Sequence, residues 1–173
     1  APVVSRVEAA GAVIVNHISG GSFDKDMIAT VASMQTPYVC MHVKGNAATM
    51  HSPHLYETVC TDVIDYFIQK IAACTKAGIP DIILDPGFGF SKSGTENFDL
   101  LKYFEVFTML QKPILLGVSR KSTIYKTLGI TANESLNGTT VLHTAGLLKG
   151  ATILRVHDVK EAMEAITLTR HLL

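Results

Sequence analysis

Short apolar runs alternate with longer amphipathic stretches along the chain. Runs at 12–16 (AVIVN), 38–43 (YVCMHV), 81–85 (DIILD), 113–119 (PILLGVS) and 152–158 (TILRVHD) read as strands. Several are apolar at nearly every position rather than every second one, the pattern of parallel strands covered on both faces. The segments between them read as helices. In the clearest, 55–77, Val59, Val63, Phe67 and Ile71 recur every fourth residue, a stripe that can cover a sheet, and Gly78 supplies a stop. Residues 97–110, 134–148 and 159–171 carry similar patterns, and VVSRVEAAGA near the start also reads as helical.

Crossover helices make such strands parallel and their connections right-handed. Two architectures satisfy this: an open doubly wound sheet, or part of a (β/α)8 TIM barrel. The strand ends separate them. They read Asn16-His17, His42-x-Lys44, Asp85-Pro86-Gly87, Ser119-Arg120-Lys121 and Arg155-x-His157-Asp158. Barrel strands converge their C-terminal ends on one site, whereas an open sheet spreads them along a line. The expected fold is therefore α/β, a (β/α)8 barrel of which residues 1–173 cover the last five βα units as a partial domain. A complete barrel takes about 250 residues, which places roughly 80–100 residues of N-terminal strands and loops outside the sequence.

Composition narrows the function. Lys and Arg total 15 and Asp and Glu 15, so the formal charge is zero. That disfavours a polybasic nucleic-acid surface but leaves room for a local anion site. No run approaches the ~18 apolar residues of a membrane span, and the start lacks the basic-then-apolar order of a signal peptide. Cys40, Cys60 and Cys74 are odd in number and without C-x-x-C spacing, which suggests reduced thiols and a cytoplasmic protein.

The strand-end groups carry the candidate chemistry. Asp85, at a buried strand mouth before Pro86 and Gly87, either accepts from a nitrogen-rich heterocycle or caps its own turn. Phe88 and Phe90 either wall a flat ligand or pack in the core, and Lys92 is expected in solvent. Lys121 can donate to a ring carbonyl or neutralise developing charge. Ser122 leans toward a helix N-cap, and Arg120 toward an acid outside the pocket. Arg155 and His157, two apart, face one side and read as a pyrophosphate clamp or a structural pair. Asn16 can read a ring amide, support magnesium or start an Asx-turn. His17 and His42 lack the spacing of a zinc site.

VNHISGG (15–21), MHVKGNAATM (41–50), ILDPGFGFSK (83–92), GVSRKS (117–122), NGTT (137–140) and ILRVHDV (153–159), in this order, resemble the dihydropteroate synthase family across essentially the whole chain. DPGFGFSK, SRKS and RVHD in series are the specific part. The resemblance implies a pterin-binding barrel that joins dihydropterin pyrophosphate to p-aminobenzoate in folate synthesis, assisted by Mg2+ and open to sulfonamide competition. It implies pterin contacts from Asn16, Met41, Asp85, Phe90, Gly117 and Lys121. It implies pyrophosphate contacts from Asn16, Arg155 and His157, and aminobenzoate contacts from Phe90, Lys121 and Ser122. Lys121, Arg155 and His157 take the catalytic roles. No nucleic-acid or membrane partner is implied, but a homodimer is, with Ala162, Ala165 and Leu168 of the terminal helix as contact candidates. The sequence departs from the family at His17, where aspartate is usual, and it lacks the family's NVTPDSF, GGxSTRPG and IDT segments. The alternatives are a corrinoid methyltransferase barrel, which has less use for a pyrophosphate clamp, and a non-catalytic fragment of a pterin-binding barrel.

Overall fold

A computed structural model describes residues 14–173. The expected helix near the start, and the first residues of the run at 12–16, lie outside the described residues. Five strands follow: β1 (Val15–His17), β2 (Tyr38–Met41), β3 (Ile82–Asp85), β4 (Leu115–Leu116) and β5 (Ile153–Leu154). β1, β2 and β3 pair in parallel, as do β4 and β5. A parallel bridge between Leu84 and Ile114, with Leu84 N–H donating to Pro113 O at 2.9 Å, joins the two sets. The five strands thus stand in chain order with no reversal. An α/β fold of parallel strands is established, and an open sheet whose strand order turns back is not what these strands form.

The strands are shorter than their apolar runs. In 113–119 only Leu115–Leu116 pairs as strand, because the chain beyond folds back and Lys121 N–H donates to Val118 O at 3.2 Å. Residues past the ladder stay buried but leave the sheet, which frees their side chains for a site.

The helices are α1 (Met27–Met34), α2 (Val59–Ala77), α3 (Gly94–Lys102), α4 (Ser122–Leu128), α5 (Leu136–Leu148) and α6 (Val159–Thr169). α2 stops as its sequence predicts: Gly78 adopts φ 86°, the left-handed conformation natural to glycine, and its N–H reaches Cys74 O. α3 begins with a capping box, Ser93 Oγ accepting from Glu96 N–H at 3.2 Å and Glu96 Oε2 accepting from Ser93 N–H at 2.6 Å. The helix expected over 97–110 breaks at Tyr103 and resumes as a 3-10 helix, Phe104–Leu110. Phe104, Phe107 and Leu110 are spaced by three, and a three-residue turn is what sends all of them to the core.

The main core lies between the strands and the helices. Tyr38, Cys40, Leu84 and Leu116 meet Val63, Phe67, Leu100, Phe104 and Phe107. The other face of the strands carries a smaller cluster, Val39, Ile83, Leu115 and Ile153. Cys40, Cys60 and Cys74 are buried and unpaired. Ala162 and Ala165 are buried within the chain, so of the three expected dimer contacts only Leu168, at 69% exposure, is presented outward. Among the described residues no helix is long and apolar enough to cross a membrane.

Phe67 is fully buried whereas Phe98 on α3 is 37% exposed. Phe67→Ala should lower stability by about 3–5 kcal/mol, from lost burial and the cavity left behind. Phe98→Ala should cost less than about 1 kcal/mol. Denaturant midpoints check this, and equal shifts would contradict the assigned core.

Candidate functional site

Strand parity builds the site. Side chains two residues apart share a face. Two positions beyond Val39, Ile83, Leu115 and Ile153 stand Met41, Asp85, Gly117 and Arg155. The apolar layer is thus a floor, and the next layer carries a carboxylate, a guanidinium, a bare backbone and a thioether. Met41 pairs with Asp85 in register and is buried.

Asp85 has no exposed surface. Its Oδ1 accepts from Gly87 N–H at 2.9 Å. Arg155 Nη1 lies 2.6 Å from Oδ2, an ion pair, yet no well-directed hydrogen bond reaches that oxygen. A buried carboxylate therefore keeps one acceptor open to a better donor. The turn-capping reading of Asp85 holds for Oδ1, and Oδ2 lies buried against the Arg155 guanidinium.

Gly117 makes room for Arg155. A Cβ there would lie 2.4 Å from Arg155 Nη2, so the guanidinium rests against bare backbone. Lys121, at the N-cap position of α4, donates through Nζ to Phe88 O and lies 4.6 Å over the Phe90 ring. Burial pulls its ammonium down to about 8; Asp85 opposes that shift and Arg155 adds to it. Phe90 also faces His51, with ring centroids 5.3 Å apart. Phe88 is core, packed against Phe104 at 6.2 Å. The structure thus divides the two phenylalanines that the sequence leaves equivalent.

His157 is held by Ser119, whose Oγ lies 2.9 Å from Nδ1 and accepts from His157 N–H at 3.2 Å. With Nδ1 engaged, Nε2 is the nitrogen left for a ligand. Arg120 turns away, as expected. Its Nε and Nη2 donate to Asp158 at 2.8 and 2.7 Å, and Nη1 reaches Ala132 O and Asn133 O. This bidentate pair ties the loop after β4 to the start of α6, and holds the Asp158 carboxyl below its usual range.

Asn16 is exposed on β1, in register with Val39 on the floor layer, and has no hydrogen bond or ion pair to Asp85 or Arg155. His17 folds back on its own loop, with Nδ1 3.1 Å from Ser19 Oγ, and burial lowers its pKa. Ser122 is the first residue of α4 rather than its cap. The chain reaches the helical conformation one residue earlier than the Ser122 reading requires, and Lys121 supplies the extended N-cap backbone. Among the described residues no three His, Cys, Asp or Glu side chains converge as a metal cluster. A groove lined by Tyr56, Cys60, Glu96, Asp99 and Tyr103 lies between α2 and α3 and includes none of the strand-end groups.

Lys92 overturns its expected place. It is 7% exposed, and Nζ lies 3.1 Å from both Gly87 O and Phe90 O and 2.9 Å from His42 Nδ1. The reason is the tight Gly87–Phe90 turn: Phe90 N–H closes it onto Gly87 O at 3.1 Å, and Lys92 adds a second donor there and pairs Phe90 O. Ser91 is a second residue that sequence reasoning does not reach. At φ 53° it accepts from Lys44 N–H, meets Tyr56 Oη at 2.9 Å, donates its own N–H to Met50 O and accepts from His54 N–H. It binds the 44–56 segment to the loop after β3. The only sequence signal for either residue is a glycine-rich turn that requires buried donors.

Gly87 sits at φ 72°, and a Cβ there would lie 2.0 Å from His42 O. Backbone cannot yield to that contact, so Gly87→Ala should release the Asp85 turn. Amide exchange at residues 85–92 should rise by about tenfold or more, while α5 and α6 keep their protection. Unchanged exchange in the turn would refute the clash.

A family model described as pterin binding enzyme matches residues 1–157. Dihydropteroate synthase of Escherichia coli (strain K12) is 39% identical over 168 residues, covering 95% of this chain. This chain spans 59% of that relative's length. A Thermus thermophilus dihydropteroate synthase in complex with 4-aminobenzoate superposes with TM-score 0.94 at 32% identity, over 99% of this chain and 67% of that one. The same enzyme in complex with 6HMPPP gives TM-score 0.93 at 32% identity, over 99% and 68%. With a family model matched over residues 1–157 and a relative 39% identical across 95% of it, the chain belongs to the pterin-binding enzyme family, in which these relatives are dihydropteroate synthases.

Proposed function

We propose that this chain carries the pterin and pyrophosphate sites of a dihydropteroate synthase. The enzyme would condense 6-hydroxymethyl-7,8-dihydropterin pyrophosphate with p-aminobenzoate, giving dihydropteroate and pyrophosphate. The observation that carries the reading is the buried Asp85 Oδ2, facing Arg155 without a directed hydrogen bond. On the same reading, the five βα units are part of a (β/α)8 barrel whose C-terminal face bears the site.

Each side chain then has a task. Asp85 Oδ2 accepts from the amino and ring N–H groups of the pterin. Lys121 donates near the ring carbonyl, and Met41 and Gly117 bound the ring. Phe90, Lys121 and Ser122 border the aminobenzoate. Arg155 and His157 hold the pyrophosphate oxygens. Asp85 and Arg155 are partners in the ligand-free chain, so the pterin must replace the guanidinium at Oδ2. The freed guanidinium is then available to the phosphates, which couples ring recognition to leaving-group binding.

The methylene C–O bond breaks, and its electron pair leaves with pyrophosphate, whose charge Arg155, His157 and Lys121 stabilise. The amine nitrogen of aminobenzoate forms the new C–N bond and then loses its proton. No strong base is required, because the electron-poor methylene draws in a weakly basic aromatic amine. Mg2+ belongs to the same proposal. It needs few protein oxygens beside substrate phosphates and waters. Asn16 offers one exposed amide oxygen, and with the pyrophosphate it would hold the ion. When bound, the ion neutralises charge on the departing pyrophosphate.

Dihydropteroate formation by the full-length protein should require both substrates and release one pyrophosphate per product, and Arg155→Ala should lower kcat/KM by about 10²–10³. No dihydropteroate with both substrates present would oppose the reading. Lys121 is a cation below pH about 8 and neutral above it. kcat/KM should therefore fall as pH rises through that value, and Lys121→Arg should abolish the alkaline fall. A persistent fall in the arginine variant would assign the titration to another group.

A further inference from the structure

We propose that Lys92 is a positioning residue, whose buried amine sets the Gly87–Phe90 turn in the shape that points Asp85 Oδ2 and the Phe90 ring at one opening. This rests on the pterin-site reading above and adds a residue to which the reading gives no role.

The geometry is a brace with three arms. Gly87 O and Phe90 O, each 3.1 Å from Nζ, are the two ends of the turn, and His42 Nδ1, at 2.9 Å, is the anchor at the end of β2. The first arm leads to the carboxylate, because the same Gly87 that gives its carbonyl to Lys92 gives its N–H to Asp85 Oδ1. The second arm leads to the aromatic wall, because Phe90 lies under the Lys121 ammonium. Lys121 takes the carbonyl in the middle of the turn, that of Phe88, so two lysines divide the turn's acceptors between them. Lys92 holds the buried side, and Lys121 the side of the opening.

The placement does not suit a group kept only for charge. Among the described residues no carboxylate lies within ion-pair distance of Lys92, and three neutral acceptors surround it instead. The charged and titratable groups near it are His42 and Tyr56, Asp85, Glu96 and Lys121. Burial pulls the amine down to about 7, and burial together with Lys92 and Lys44 keeps His42 well below its ordinary value. As an ammonium, Lys92 donates to all three partners. As a neutral amine, it still donates to the two carbonyls and accepts from His42 Nδ1–H. The brace survives loss of its proton, which fits positioning and not proton transfer. Methionine has similar length and no donor, so it would fill the space, strip Phe90 O of the Lys92 hydrogen bond and leave Gly87 O with only the Phe90 N–H at 3.1 Å.

The test compares two ligands that meet the site differently. Wild type and Lys92→Met, both full length, are titrated calorimetrically with dihydropterin pyrophosphate and, separately, with inorganic pyrophosphate. The expected result is a Kd for the pterin substrate raised about tenfold or more, with the inorganic pyrophosphate Kd within about twofold of wild type. In turnover, KM for both substrates should rise while kcat stays within about threefold. Unchanged pterin affinity would overturn the proposal. So would equal weakening of both ligands, which would report general loosening. Wild type binding neither ligand would overturn the site reading and this inference with it, whereas the other two outcomes leave the site reading intact. Should Lys92→Met fail to give a cooperative melt, Lys92→Gln, with two N–H donors on a shorter stem, carries the same comparison.

Discussion

A carboxylate sealed away from water is the constraint around which the site is built. Asp85 has no exposed surface, and an ionised carboxylate in that position is costly unless donors surround it. Gly87 meets one oxygen and Arg155 faces the other. Each demand propagates. Gly87 must lack a side chain because His42 O occupies the space, and Gly117 must lack one because Arg155 does. The ion pair with Arg155 is close but poorly directed, so it neutralises the charge without consuming the acceptor. A ligand with parallel N–H donors can supply what the guanidinium does not.

Two arginines near the opening have opposite uses, and strand parity decides which is which. Arg155 stands two positions beyond a floor residue and therefore enters the site. Arg120 follows Ser119 in a left-handed conformation, φ 52°, and turns outward onto Asp158. A partly exposed ion pair of this kind contributes only modestly to stability. Its value is geometric: it fastens the loop bearing Ser119 and Lys121 to the segment bearing His157.

The two lysines of the site differ in the same way. Lys121 is half-buried, bonded to Phe88 O and set over the Phe90 ring. Lys92 is enclosed by its own loop and by the end of β2. Burial depresses both amines, but Lys92 is the more deeply enclosed of the two. On the proposed function, this division between the two lysines would set how the chain carries out its chemistry.

The amphipathic stripe of α2, its glycine stop and the all-apolar strand runs were legible in the sequence because each depends on neighbours within a turn or a ladder step. The strand-end motifs were legible for a related reason: a polar group against an apolar strand marks the strand mouth, whatever lies beside it. The break at Tyr103 was not, since helical and three-residue periods both pass through Phe104 and Phe107, and the core decided between them. Nor were the division of Phe88 from Phe90 and the placement of Ser122. Lys92 is the clearest case. Its local sequence is that of a solvated lysine, and its anchor, His42, is 50 residues away. By itself the sequence determined the order of elements, the family and the candidate groups at the strand ends. Only the tertiary structure decided which of them are buried together, because burial and partner choice arise from contacts between segments that local pattern does not relate.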